Sequence, residues 1–235
     1  MTQLNIINKL IIALDSPNIE DSYKLVKDLG DNVLFYKVGL ASLPSGGIEL
    51  AKYLKKQNKK VFLDLKLYDI GNTIETTVRK LSALKLDFLT VVGDPHIIKS
   101  ALKGRQNCDL KILAVTVLTS LDRADLDNCL IMKGDVESIV LKRAKLAFES
   151  GADGVISAPD EASMIRKMPE AFNKLIVTPG IRPSGFDLND QKRITTPAKA
   201  LKSGANHIVV GRPIWQSANP NYVTQKIFQE LQTND

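Results

Sequence analysis

Short, almost continuous apolar runs recur along the whole chain, and this pattern limits the possible folds more than any other feature. Eight runs are separated by longer polar segments with helical periodicity. The runs span residues 10–14, 33–38, 61–65, 88–92, 112–118, 154–157, 175–178 and 207–210. Uninterrupted apolar runs of this length are typical of parallel strands covered by helices. Eight alternations of strand and helix favour an α/β protein with a closed (β/α)8 TIM barrel over an open doubly wound sheet.

The chain is predicted to form one barrel domain over residues 1–235, because no linker rich in proline, glycine or serine divides it. The length is close to the roughly 250 residues that this fold usually has. A weak internal repeat agrees: segments 150–153 (Ser-Gly-Ala-Asp) and 203–206 (Ser-Gly-Ala-Asn) both place a glycine where a helix should end, just before a strand.

Composition narrows the class of protein. Hydrophobic residues make up 44% of the chain and charged residues 25%, which is ordinary for a water-soluble protein. We expect a cytoplasmic protein, because the N-terminus lacks a signal-peptide pattern, no apolar run could cross a bilayer and there are only two cysteines. The net charge of +6 comes from dispersed lysines without interleaved aromatic residues, so a nucleic-acid partner is not predicted. A positive field would instead attract a small anionic substrate.

Polar residues stand at the carboxyl ends of six of the eight runs. They are Asp15, Lys37, Asp64 with Lys66, Thr119 with Ser120, Thr178-Pro179-Gly180 with Arg182, and Gly211 with Arg212. Active sites of TIM barrels lie at this end of the strands, so these residues are predicted to converge on one rim. Within the third run, alternation places Asp64 and Lys66 on one face and the leucines between them on the other. Buried charges cost several kcal/mol each if they are unpaired, so such residues either form ion pairs or take part in function.

Two kinds of chemistry fit these residues. The loops after the seventh and eighth strands of TIM barrels often bind phosphate, and here they carry Gly180, Arg182, Gly211 and Arg212. The aspartates and lysines of the early strands form an alternating set in which a protonated lysine could stabilise a developing carbanion and then donate a proton. No cofactor and no metal are expected, since the chain lacks a Walker loop, a dinucleotide-binding glycine motif and metal-ligand spacing of His or Cys.

Several motifs together resemble the orotidine 5′-phosphate decarboxylase family of the bacterial type. They are Asp-Leu-Lys-x-x-Asp-Ile at 64–70, Ala-Leu-Asp at 13–15, Lys-Val-Gly at 37–39, Thr-Pro-Gly-Ile-Arg-Pro at 178–183 and Val-Gly-Arg at 210–212. The resemblance extends from residue 10 to residue 216. It implies a homodimeric TIM barrel that converts orotidine 5′-phosphate to UMP in pyrimidine biosynthesis without cofactor.

The resemblance also implies roles for individual residues. Lys66 would donate the proton to C6, Asp64 would sit against the departing carboxylate, and Lys37 and Asp15 would hold the ribose and complete the charge network. Asp69, Ile70 and Thr73 would reach into the site of the neighbouring subunit. Thr119 and Ser120 would lie near the pyrimidine. The phosphate would be bound by Arg182, Gln191, Gly211 and Arg212, with the loop after the seventh strand closing as a lid. Pro179 would also contact the substrate.

The chain departs from the family pattern at three places. Tyr68 replaces a histidine, Gly71 replaces a proline, and the fourth strand is followed by 93–96 (Gly-Asp-Pro-His) where the family has a histidine directly after the strand. Gly71 could loosen the loop that presents Asp69, and His96 is expected to be an ordinary loop residue.

Two other functions are compatible with part of this pattern. Metal-dependent siblings that act on sugar phosphates share Asp-x-Lys-x-x-Asp, but they carry an acidic residue at the position of Lys37 to help hold Mg²⁺, which a lysine would repel. A barrel that binds a nucleotide without catalysis is not expected to retain all five of the residues Asp15, Lys37, Asp64, Lys66 and Asp69.

Overall fold

A computed structural model describes residues 6–124, 126, 134–183 and 195–232. Eight strands form a closed barrel in chain order, β1 to β8, and every neighbouring pair is parallel. The strands are β1 Leu10–Ala13, β2 Phe35–Gly39, β3 Lys60–Leu67, β4 Phe88–Val92, β5 Lys111–Val115, β6 Gly154–Ile156, β7 Leu175–Thr178 and β8 His207–Val210. The TIM barrel prediction is confirmed, and the open-sheet alternative is wrong because β1 pairs with β8.

Helices cover the outside of the barrel. The described α-helices are Ile19–Leu29, Gly47–Lys56, Gly71–Ser82, Pro95–Arg105, Val136–Glu149, Ala162–Arg166, Pro197–Lys202, Arg212–Trp215 and Pro220–Gln232. Short 3-10 turns span Gly30–Asn32, Leu40–Ser45, Pro159–Glu161 and Pro169–Ala171. None of the helices within the described ranges is long and apolar enough to cross a membrane.

Alternation along the strands produces two apolar layers. Outward-facing residues such as Leu10, Ile12 and Leu63 pack with the helices in the larger core cluster. Inward-facing residues form a second cluster inside the barrel: Ile11, Ala13, Phe35, Phe62, Phe88, Leu113, Val115, Ile156, Val177 and Val209. The barrel is therefore filled at mid-height, below the carboxyl ends of the strands.

Aromatic rings close the amino-terminal end of the barrel. The rings of Phe35 and Phe88 meet edge to face at 5.0 Å, and the His207 imidazole stacks edge to face on both, at 5.7 Å and 5.3 Å. His207 Nδ1 lies 2.9 Å from the carbonyl oxygen of Asn8. Burial lowers the pKa of His207 to about 4, so this imidazole is neutral at physiological pH.

The strands end close to where the apolar runs predict, with two informative differences. β5 stops at Val115, three residues before the end of its apolar run, because its partner β6 ends at Ile156 and the chain then turns into a rim loop. β3 instead continues to Leu67, two residues past its apolar run, so that Lys66 as well as Asp64 lies within the strand.

Candidate active site

A cavity of about 460 Å³ opens at the carboxyl ends of the strands. Its lining comes from β1, β2, β3, β5, β6, β7 and β8 and the loops that follow them. The lining residues are Ala13, Asp15, Lys37, Phe62, Asp64, Lys66, Val115, Val117, Leu118, Thr119, Ile156, Pro179, Gly180, Arg182, Val209, Gly211, Arg212 and Trp215. Most of the residues predicted from strand ends thus lie in one cavity, as the barrel prediction requires.

The strand period explains how the charged side chains reach this cavity. Phe35 and Phe62 belong to the cluster inside the barrel, and Lys37 and Asp64 stand two residues further along the same strands. Both therefore face the interior, one layer above the aromatic rings. Asp15 follows β1 and comes within reach of Lys37, whose β2 segment pairs with β1.

Four charged groups form a continuous alternating chain. Lys37 Nζ donates to both oxygens of Asp15, at 3.0 and 2.9 Å, and lies 3.6 Å from Asp64 Oδ2. Lys66 Nζ donates to Asp64 Oδ1 at 2.8 Å. The inner members are the most buried: side-chain exposure is 10% for Lys37 and 13% for Asp64, against 40% for Asp15 and 39% for Lys66. The outer members are thus open to the cavity and its ligand.

Asp64 is the electrostatic centre of this chain. Burial acts to raise the pKa of Asp64, but the ammonium groups of Lys37 and then Lys66, together with hydrogen bonds from Lys66 and Thr90, outweigh it. The net effect lowers the pKa of Asp64 below its ordinary value. Asp64 is therefore an ionised carboxylate near neutral pH, fixed at the cavity wall.

The backbone at Lys66 is unusual for a strand. Lys66 has a φ of +49°, in the left-handed region that non-glycine residues seldom adopt. The β3–β4 ladder shifts register here, since Leu63 pairs with Leu89 but Leu67 pairs with Val91. Asp64 and Lys66 do share one side of the strand, as alternation predicts, but a distorted strand and not a regular one brings their charged groups together.

Two residues of the site escaped the sequence analysis. Thr90 is fully buried in β4, donates to Asp64 Oδ1 at 2.7 Å and accepts from Lys66 N–H at 3.1 Å. Gly39 leaves room for the Asp15–Lys37 pair, because a Cβ there would lie 2.5 Å from Asp15 Oδ1. Thr90 could have been noticed as a polar residue two positions after inward-facing Phe88 in an otherwise apolar strand, and Gly39 belongs to the Lys-Val-Gly motif at 37–39, which gives no hint of the close approach.

The β7 and β8 side of the cavity carries the residues predicted to bind phosphate. Pro179, Gly180, Arg182, Gly211 and Arg212 all contribute to the lining. Arg182 is buried, its backbone N–H donates to Thr195 O at 2.9 Å, and its Nη1 donates to Ile181 O at 2.9 Å. Gly211 precedes the short helix Arg212–Trp215, so two guanidinium groups and a helix start border the same part of the cavity.

The remaining predicted residues are placed differently. Asp69, Ile70 and Thr73 are exposed and lie outside the cavity lining of the described residues, at the start of the helix Gly71–Ser82. Thr119 lines the cavity, whereas the neighbouring Ser120 is half-buried beside it. Gln191 lies outside the described residues, so its predicted role is untested.

The loop after β4 is occupied by a structural contact. Asp94 is the N-cap residue of the helix Pro95–Arg105 and pairs with Arg143 Nη2 at 3.3 Å. Arg143 belongs to the helix Val136–Glu149, so the pair joins two helices of the outer layer. Asp94 therefore has a packing role in the structure.

The fold and the site define the class. An eight-stranded parallel barrel with a charged cavity at the carboxyl ends of its strands is the architecture of the TIM-barrel enzymes. Within the part of the chain that the structure describes, no three His, Cys, Asp or Glu side chains cluster as metal ligands would.

Comparison with known proteins identifies the family. The chain belongs to the orotidine 5′-phosphate decarboxylase / HUMPS family, whose model matches residues 8–227. A relative from a Jannaschia species, named orotidine 5′-phosphate decarboxylase, is 55% identical over 225 residues, which is 95% of this chain and 98% of the relative. A relative of the same name from Ruegeria pomeroyi is 56% identical over 225 residues, covering 95% of this chain and 94% of its own.

A solved structure agrees with these relatives. The crystal structure of orotidine 5′-phosphate decarboxylase from Lactobacillus acidophilus superposes with a TM-score of 0.82 at 37% identity. The match covers 94% of this chain and 98% of that one. The family resemblance inferred from the sequence motifs is thereby confirmed.

Proposed function

We propose that this protein is an orotidine 5′-phosphate decarboxylase that forms UMP and carbon dioxide in pyrimidine biosynthesis. The observation that carries the proposal is the Asp15–Lys37–Asp64–Lys66 chain of charges, which shares one cavity with Arg182 and Arg212. A substrate with a phosphate at one end and a carboxylate-bearing ring at the other matches this division of the cavity. The names of the 50–56% identical relatives support the same activity.

Lys37 distinguishes this proposal from the metal-dependent branch of the family. Its ammonium group lies 2.9 Å from Asp15 Oδ2 and 3.6 Å from Asp64 Oδ2. It therefore occupies the space between the two carboxylates that a divalent cation would have to use. A lysine and a divalent cation held this close would repel each other, so these carboxylates are better suited to orient lysines than to bind Mg²⁺.

Phosphate binding would supply the energy that assembles the site. Arg182 and Arg212 can each offer paired N–H donors to phosphate oxygens, and Gly211 allows close backbone approach. The phosphate is remote from the reacting carbon, so its binding energy can be used to position the ring against the charged residues. We also infer that the loop after β7 closes on the phosphate as a lid. The role of Gln191 in that lid rests on the family resemblance alone.

The reaction then follows from the charges around Asp64. The substrate carboxylate would lie against the ionised Asp64, where two negative groups meet in a rigid site. When the bond between C6 and the carboxylate breaks, carbon dioxide leaves and the electron pair remains on C6. The Lys66 ammonium, 2.8 Å from Asp64, would stabilise that pair and donate its proton to C6. Lys66 is 39% exposed, so solvent can return the proton.

The exposed segment after β3 supports a homodimer. Tyr68 and Ile70 are 67% and 71% exposed, although both are large apolar side chains. Apolar residues clustered on a surface often mark a protein interface. In the proposed dimer Asp69 enters the cavity of the partner, with Ile70 and Thr73 beside it.

Ultraviolet absorbance of orotidine 5′-phosphate tests the activity directly. Purified protein should cause decay of the substrate band at the same rate with and without excess EDTA. Lys66→Ala should abolish the decay in a folded protein, whereas Lys52→Ala, at a half-exposed surface lysine, should match the wild type. No decay by the wild type would contradict the proposed activity, and decay lost to EDTA would indicate a metal-dependent site. A folded, fully active Lys66→Ala variant would exclude Lys66 as the proton donor.

A further inference from the structure

Thr90 connects the two reactive residues of β3 from the neighbouring strand. Its side chain is fully buried and does not line the cavity. Its hydroxyl donates to Asp64 Oδ1 at 2.7 Å and accepts from the backbone N–H of Lys66 at 3.1 Å. A hydroxyl has one proton and two lone pairs, so one small group serves both partners at once.

The strand geometry explains why this connection is needed. Between the Leu63–Leu89 and Leu67–Val91 pairs, β3 advances four residues while β4 advances two. The regular ladder therefore cannot supply partners for the β3 backbone in this interval. Lys66 lies inside it with a φ of +49°, a conformation that persists only when its surroundings hold it. The Thr90 hydroxyl is the acceptor that the ladder fails to provide.

We propose that Thr90 is a positioning residue: its hydroxyl holds the Lys66 backbone in the left-handed conformation and fixes the Asp64 carboxylate against the Lys66 ammonium. This inference rests on the proposed decarboxylase function. Asp64 Oδ1 accepts from both Thr90 and Lys66 Nζ, so movement of that oxygen would alter the place from which Lys66 delivers its proton. Because Thr90 does not reach the cavity, it should affect the chemical step and leave substrate binding unchanged.

Thr90→Val tests this role because valine keeps the shape of threonine and removes both hydrogen bonds. Displacement of a reacting group by about 1 Å can cost about 10²-fold in rate, so we expect kcat to fall by about 10- to 100-fold. KM for orotidine 5′-phosphate and inhibition by UMP should stay within about threefold of the wild type, since the groups proposed to bind substrate are untouched. Thr90→Ser retains the hydroxyl and should recover most of kcat.

Thr116→Val is the matched control. Thr116 is also buried, and its hydroxyl donates at 2.9 Å to the carbonyl oxygen of Ile156, without contact to Asp64 or Lys66. It measures the effect of losing a buried hydroxyl near the barrel rim. Thr90→Ala provides a second removal of the Thr90 hydroxyl if the valine variant does not fold.

The outcomes separate the two proposals. A wild-type protein without activity on orotidine 5′-phosphate would overturn the decarboxylase function and this inference with it. An active wild type with Thr90→Val no slower than Thr116→Val would overturn the positioning role alone. The role would also be overturned if Thr90→Ser were as slow as Thr90→Val, or if the loss were in KM and not in kcat.

Discussion

Gly39→Ala should separate catalysis from stability. Gly39 has φ −92° and ψ 174°, an extended conformation that alanine adopts without strain. The added Cβ, however, would lie 2.5 Å from Asp15 Oδ1 and 3.0 Å from Lys37 Nζ. Ordinary van der Waals contact needs about 3.4 Å or more, so the Asp15 carboxylate has to move by about 1 Å.

The expected changes in stability and activity depend on which atoms must move. Asp15 is 40% exposed, so its side chain can rotate toward solvent and relieve the overlap. The loss of a partly exposed ion pair costs up to about 1 kcal/mol, and the fold should survive. Activity should respond far more strongly, because a displacement of about 1 Å in a catalytic arrangement can cost about 10²-fold. We therefore expect kcat/KM to fall by about 100-fold with a nearly unchanged free energy of unfolding.

Gly30→Ala is the control with the opposite expectation. Gly30 has a φ of +51°, and no atom lies within 4 Å of a Cβ built there. With a ψ of −132° this is a conformation that side-chain-bearing residues rarely adopt, so alanine should strain the backbone at a cost of about 1–3 kcal/mol without touching the cavity. Urea unfolding and steady-state decarboxylation should be measured on both variants and the wild type.

The two glycine variants should thus have opposite effects on activity and stability. Gly39→Ala should lose activity and keep stability, and Gly30→Ala should lose stability and keep activity. If Gly39→Ala had wild-type kcat/KM, the Asp15–Lys37 geometry would not matter for catalysis. If it unfolded instead, Asp15 would be less able to move than its exposure indicates.

Three further predictions concern the phosphate side, the dimer and pH. Arg212→Ala should lower kcat/KM for orotidine 5′-phosphate by about 10- to 100-fold, which corresponds to the loss of a charge-assisted hydrogen bond. The kcat/KM for orotidine, which lacks the phosphate, should not change. Equal losses on both substrates would show that Arg212 does not bind phosphate. Inactive Asp69→Ala and Lys66→Ala proteins, once mixed and re-equilibrated, should recover about a quarter of wild-type activity, because half the dimers are mixed and one of their two sites is intact. No recovery would place Asp69 in the site of its own subunit. The pKa of His207 is lowered from 6.5 to about 4 in the folded protein. Between these two pH values the unfolded chain binds a proton at His207 and the folded chain does not. The free energy of unfolding should therefore fall by about 3 kcal/mol from pH 7 to pH 4. Urea titrations should show this slope flattened in His207→Gln, and an equal slope in both proteins would assign it to other groups.

The predicted function depends on residues close together in the chain and on the order of the strands. Asp64, Lys66 and Asp69 lie within six residues, so strand alternation alone placed the first two on one face. Eight apolar runs predicted the closed barrel, and the barrel predicted that distant strand ends would meet. This arrangement predicts that Asp15, Lys37, Arg182 and Arg212, which are far apart in the chain, share one rim.

Other parts of the site needed contacts between strands. The hydrogen bonds of Thr90 exist because β4 is shifted against β3, and no property of the segment 88–92 reveals that shift. The left-handed backbone of Lys66 is likewise invisible in an ordinary strand sequence. The exposure of Asp69 and Ile70, outside the cavity of their own chain, depends on the position of the helix Gly71–Ser82 relative to β3.

The amino-acid sequence by itself determined the strands, the barrel and the charged residues at its rim, because apolar periodicity and strand-end chemistry are local properties. Tertiary structure alone decided which atoms of Asp15, Lys37, Asp64 and Lys66 are paired, which of these side chains are buried, and which neutral residues hold them. These features depend on strand register and on distances between side chains far apart in the chain. A difference of about 1 Å in such distances distinguishes a hydrogen-bonded ion pair from a steric overlap, as the Cβ that alanine would add at position 39 illustrates.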